Sequence, residues 1–189
     1  MSNALVLDSL RRRMAALFSL YEDALATMDS SHVNHFEREG VLPIAFSLFH
    51  YANMHDASFM LLTGTPPLWN DEWQARVGVH VNDHGKHKTV DEMIHQRIGD
   101  LGAFTEYMRA VYSRTSDWLA TLDPADLDRV VIARPFPAQI ASTFSARVAG
   151  EQGLTVLDGI ECWLYQHGLR HMGEIELARG LVGLGGMTS

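Results

Sequence analysis

Apolar side chains at Leu7, Leu10, Met14, Leu17, Phe18, Tyr21, Leu25 and Met28 recur three and four residues apart. Residues at those spacings share one face of an α-helix, so the pattern predicts a first helix over about residues 4–28. A polar stretch from Ser30 to Gly40 follows. A second apolar-rich segment predicts a helix from about Pro43 to Leu62, with Pro43 suited to a first turn and Gly64 to a stop. Residues 65–88 hold Pro66-Pro67, several glycines and scattered aromatics, and read as a long irregular connection.

Thr89-Val90-Asp91-Glu92 has the form of a capping box, in which the Thr and Glu side chains satisfy free backbone amides. From there Met93, Ile94, Ile98, Leu101, Phe104, Met108, Val111 and Tyr112 predict a third helix reaching Leu122, where Asp123-Pro124 marks a break. The β-branched runs at Val130-Val131-Ile132, Ile140 and Thr143-Phe144 predict a small hairpin within residues 130–150. Thr155-Val156-Leu157-Asp158 is a second cap-like start, for a fourth helix that ends in the glycines from Gly183 onward. The expected fold is all-α: a four-helix bundle with long connections and a small hairpin before the last helix, residues 1–189 forming one domain.

Composition narrows the function classes. A formal charge of −8 disfavours a nucleic-acid surface, which needs clustered Lys and Arg. The Arg11-Arg12-Arg13 cluster reads as a solvated helix face. No apolar run is long enough for a bilayer span, and the start of the chain lacks a signal-like apolar core. A lone cysteine, Cys162, gives no intramolecular disulfide, so a cytoplasmic protein is expected. The unusual feature is ten histidines.

His167 and His171, four residues apart in "YQHGLRHMGEIE", project from one helix face and can meet a single ion. Leu164, Trp163, Met172, Ile175 and Leu177 around them imply burial, where imidazoles need partners; ordinary hydrogen-bonded core histidines would satisfy the same need. His50, in the apolar surround of Leu48, Phe49 and Met54, is the best third ligand. His55 and Asp56 lie around the helix from it and are expected to reach solvent or a neighbouring helix. His80, His84 and His87 sit on a polar loop and are expected to be mostly solvated, with one member a candidate to overhang the site; His32 and His35 fall in another polar connection. Glu92 and His95 supply only one copy of the Glu-x-x-His unit that di-iron bundles use twice, and no H-E-x-x-H occurs.

With His50 on the second helix and His167 and His171 on the fourth, the chain resembles the DinB-like family of small four-helix-bundle metalloproteins. The resemblance is carried by "LFHYANMHDASFMLLTG" (48–64), "YMRAVYSRTSDWLATLDPADLDRVV" (107–131) and "WLYQHGLRHMGEIELARGLVGLG" (163–185). It implies a divalent metal ion, zinc or nickel, held by His50, His167 and His171, and a homodimer. It also implies a small-molecule substrate, since characterised branches include transferases and isomerases that use low-molecular-weight thiols such as bacillithiol, mycothiol or glutathione.

Three neutral ligands leave a coordination position open, so such a centre suits activation of a thiol or of water. Carboxylates behind the imidazoles should orient them. Glu174, three residues from His171, is the first candidate, ahead of Asp158, Glu161 and Glu151. Cys162, five residues before His167, is expected to point away into the core. Trp69, Trp73, Trp163, Met54 and Met172 are expected to serve packing more than a pocket. Gly168 and Gly173 are expected to let a neighbouring helix or subunit approach. Two competing classes remain: a non-catalytic dimeric bundle binding a small ligand or partner, and an ion that only stitches two helices together.

Overall fold

A computed structural model describes residues 2–85 and 87–187. Helix α1 spans Asn3–Ala26 and buries the predicted stripe from Leu7 to Leu25. A single turn, α2 (Ser30–Val33), stands in the polar stretch because the Asp29 side chain caps it by accepting from Ser31 and His32 amides. Helix α3 (Ile44–Thr63) is apolar almost all round and ends at Gly64, whose φ of 76° closes it. The connection after it contains a further helix, α4 (Asp71–Val77), capped by Asn70, so residues 65–88 are less irregular than expected.

The predicted third helix is divided. The capping box forms at Thr89 and Glu92 but opens only one turn, α5 (Val90–Met93). The long helix, α6 (Leu101–Thr121), starts afresh at Asp100, whose side chain accepts from the Ala103 amide. Side-chain amides hold the intervening residues out of helix. Buried Gln96 bonds both the N–H (2.9 Å) and the C=O (2.8 Å) of Val81. Asn34 does the same for Ile98, at 2.9 Å in both directions. Four well-made hydrogen bonds to other segments replace those a continuous helix would have made.

After a 3-10 turn at Pro124–Asp128 comes β1 (Val130–Ala133). The expected hairpin within residues 130–150 is not what forms. Two short helices follow instead, α7 (Ala138–Ala141) and α8 (Phe144–Val148). The antiparallel partner of β1 is β2 (Gly153–Thr155), with Val130 opposite Thr155 and Ala133 opposite Gly153. Thr155 and Asp158 then form a capping box for α9 (Val156–Gly159). The chain continues as a π-helix over Ile160–Tyr165 and as α10 (Gln166–Leu181).

The four long helical segments, α1, α3, α6 and the composite α9–α10, bury a connected apolar cluster. Tyr21, Tyr51, Phe49, Phe104 and Tyr107 are among its largest fully buried side chains. Arg179 is buried and ties this core to its end, donating to Thr27 Oγ1 (2.9 Å) and to the carbonyl of Gly185 (3.1 Å). The arginine cluster is not simply a solvated face. Arg11 donates to the carbonyls of Leu119, Ala120 and Leu122 at the end of α6, and Arg13 pairs with Glu161 at 2.7 Å. No helix among the described residues is long and apolar enough to cross a membrane.

Candidate metal centre and its cavity

His50 on α3 and His167 and His171 on α10 come together, the pair as its spacing implied and His50 as its apolar neighbours implied. His167 Nε2 lies 3.3 Å from His50 Nε2 and 3.0 Å from His171 Nε2. The outer nitrogens are engaged. His50 Nδ1 donates to the carbonyl of His84, and His171 Nδ1 lies 2.6 Å from Glu174 Oε2. Ser47 Oγ donates to the same Glu174 oxygen at 3.0 Å. Burial pushes the Glu174 carboxyl up, but the hydrogen bonds from His171 and Ser47 offset it, with help from the nearby basic side chains, and its pKa is lowered. An ionised Glu174 therefore accepts the His171 proton.

Counting protons shows what this arrangement requires. A carbonyl and a carboxylate only accept, so neutral His50 and His171 both carry hydrogen on Nδ1 and present Nε2 lone pairs inward. His167 Nε2 can donate to one of them at most. The remaining lone pair then faces nitrogen instead of a donor. A proton on His50 or His167 is a poor remedy: burial, with the neighbouring His171, holds His50 down at about 4, and burial with His171 and His50 holds His167 down at about 2. A divalent cation would accept all three lone pairs. Tetrahedral Zn–N bonds of about 2.0–2.1 Å place ligand nitrogens roughly 3.3 Å apart, close to the distances seen. The three imidazoles form a group that can hold a metal ion.

Two glycines make this approach possible. A Cβ on Gly168 would lie 2.6 Å from the Tyr51 hydroxyl and from Leu17, so only glycine admits the contact of α10 with α1 and α3. Gly85, at φ +71°, turns the loop over the Phe46 ring and brings the His84 carbonyl to His50. The overhang foreseen for the histidine loop is thus made by backbone. Asp83, His84 and His87 form a second group of donors within 4.8 Å of one another, on half-exposed to exposed positions. Gly173 meets no described residue within 4 Å, so the close approach of helices within the chain occurs at Gly168.

A cavity of about 590 Å³ opens beside His50 and His167. Met54, Leu61 and Trp163 line it from the long segments, and Ile140, Thr143 and Phe144 from α7 and α8. Met54 and Trp163 therefore belong to the cavity, whereas Trp69, Trp73 and Met172 pack in the core. Cys162 also lines the cavity, contrary to the expectation that it points away. The π-helix explains the difference: its i→i+5 bonding widens the turn, so residues five apart return to one side, as they do not at 3.6 residues per turn. Burial, then Asp158 and Glu161, push the Cys162 thiol up to about 11.

Other expectations change as well. Asp158 caps α9 and Glu161 pairs with Arg13, while Glu151 is exposed. His55 and Asp56 take the second of their two expected courses, reaching the neighbouring helix α6 and not solvent, and both are fully buried. His55 meets Tyr51 OH at 3.1 Å and Thr115 Oγ1 at 2.9 Å. Asp56 accepts from the amides of Leu68 and Trp69, from Tyr107 OH and from Arg114. This pin between α3, α6 and the following connection had no signal in the sequence beyond a carboxylate within an apolar run.

No protein-family model and no curated protein matches the chain. A solved structure of a conserved protein from Enterococcus faecalis is similar to it, with a TM-score of 0.73 at 16% identity, over 97% of this chain and 99% of that one. At this identity the likeness shows a shared, mostly helical fold.

Proposed function

We propose that this chain is a DinB-like four-helix bundle and a metal-dependent enzyme, in which His50, His167 and His171 hold a divalent ion, zinc or nickel. What supports this most is the convergence of three imidazoles, with His167 Nε2 3.3 Å from His50 Nε2 and 3.0 Å from His171 Nε2, and with the outer nitrogens of His50 and His171 already engaged. A divalent ion in this position supplies Lewis acidity, which makes a thiol or a water nucleophilic at neutral pH. The chain's own residues do the rest. Glu174 and the His84 carbonyl fix the tautomers and orientation of His171 and His50. The apolar cavity walls keep bulk water from a small electrophile placed beside the centre, and the thiol class carried by the resemblance would bind there too. A cytoplasmic homodimer is part of the same proposal.

The cavity beside His50 and His167 favours an open, reactive centre over one that only joins α3 to α10. Zinc titration of the purified protein with elemental analysis tests this. About one ion per chain is expected, lost in His50→Ala and His171→Ala and kept in His87→Ala. A protein that takes up no stoichiometric ion, or loses it equally in His87→Ala, overturns the assignment and leaves the non-catalytic binding bundle.

A further inference from the structure

The cavity is chemically one-sided. Leu61, Ile140, Phe144 and Trp163 give it apolar walls, and no Asp or Glu lines it. Among the described residues its one formally charged lining side chain, with the imidazoles neutral, is Arg170. Arg170 is exposed, and unlike Arg13, Arg109 and Arg114 it makes no hydrogen bond or ion pair within 4 Å to a described residue. Its place on α10, between His167 and His171, fixes it at the histidine end of the cavity. A divalent ion on three neutral imidazoles would add uncompensated positive charge on the same side. Glu174, the carboxylate that touches this group, is spent on the outer nitrogen of His171.

A half-open cavity with apolar walls and a positive end selects an amphipathic anion. The guanidinium fork matches a carboxylate in two parallel hydrogen bonds, which a compact ammonium does not. A volume of about 590 Å³ falls within the range of roughly 300–1,000 Å³ usual for small-molecule sites. We propose that this cavity takes a small carboxylate with an apolar body, the carboxylate against Arg170 and the body against Phe144, Ile140 and Trp163. This deepens the function proposed above and rests on the cavity being its substrate site.

The test uses metal-free protein and three probes of one apolar body: octanoate, 1-octanol and octylamine, compared by isothermal titration calorimetry. Octanoate should bind about ten- to a hundredfold tighter than the other two, the range expected for hydrogen bonds to a charged group. Arg170→Gln should abolish that preference while leaving octanol binding unchanged, and Arg170→Lys should retain part of it. Equal binding of the three probes, no binding of any, a preference for octylamine, or unchanged octanoate binding in Arg170→Gln overturns the proposal. Zinc titration of the same preparation separates the two claims. A carboxylate preference without zinc uptake sinks the metal centre alone; zinc uptake without that preference sinks this assignment alone.

Discussion

Helix α3 carries two buried polar groups five residues apart, and they are built on opposite principles. Around His55 and Asp56 the polar atoms find partners: the imidazole lies between two hydroxyls, and the carboxylate takes two backbone amides, a phenol and a guanidinium. Around His50 the lone pairs of two imidazoles converge on a third ring that can donate to only one of them. A satisfied network holds the fold together. An unsatisfied one, fixed by outer hydrogen bonds and beside a cavity, is a group that can hold a metal ion. His171 is as hidden as Asn53 or Asp56, whereas His50 and His167 are half-buried beside the cavity.

The contrast is open to experiment. The largest effect is expected at Asp56. Asp56→Ala strands the partly buried Arg114 guanidinium, the Tyr107 hydroxyl and two amides, and should cost roughly 3–5 kcal/mol in denaturant unfolding. A loss below about 1 kcal/mol, the level of an ordinary surface change, would remove the network from the list of what secures α3.

Next in size is an acid limb. Burial, then Arg114, holds His55 down at about 3, whereas an unfolded imidazole titrates near 6.5. Between those values the unfolded chain takes up the proton first, so stability is full above about pH 6.5 and falls as pH drops towards 3. For His55 the loss should reach on the order of 3 kcal/mol by about pH 4. His50 and His167 add to the same window in metal-free protein, so His55→Gln should shallow the limb without removing it. An identical pH dependence in that variant would show that His55 is not buried neutral.

The smallest effect on folding belongs to the metal side. Glu174 is 46% exposed at its side chain, so Glu174→Gln should leave unfolding nearly unchanged while weakening zinc binding about ten- to a hundredfold. Unchanged affinity would mean that the 2.6 Å contact with His171 does not orient that ligand.

How far the site could be seen in advance follows from the range of each interaction. His167 and His171 were legible because helical periodicity alone puts them on one face, and His50 because its apolar neighbours marked an inward turn of another helix. The hinge at residues 94–100 was not, because it depends on Gln96 meeting Val81 and Asn34 meeting Ile98, far apart in sequence. Asp100, a ready N-cap after Gly99, was the one local sign of the second start. The pairing of β1 with β2 across two short helices lay equally beyond local patterns.

The sequence by itself determined the apolar faces, the capping boxes at Thr89 and Thr155, and the three histidines, since these depend on neighbours within a turn or two. Tertiary structure alone decided that His84 lends a carbonyl to His50. It also decided which of its two expected courses Asp56 takes, a neighbouring helix and not solvent, and that a π-turn rotates Cys162 into the cavity. Each of those depends on a competition between local and distant hydrogen-bond partners, and only the packed chain brings the distant partners within reach.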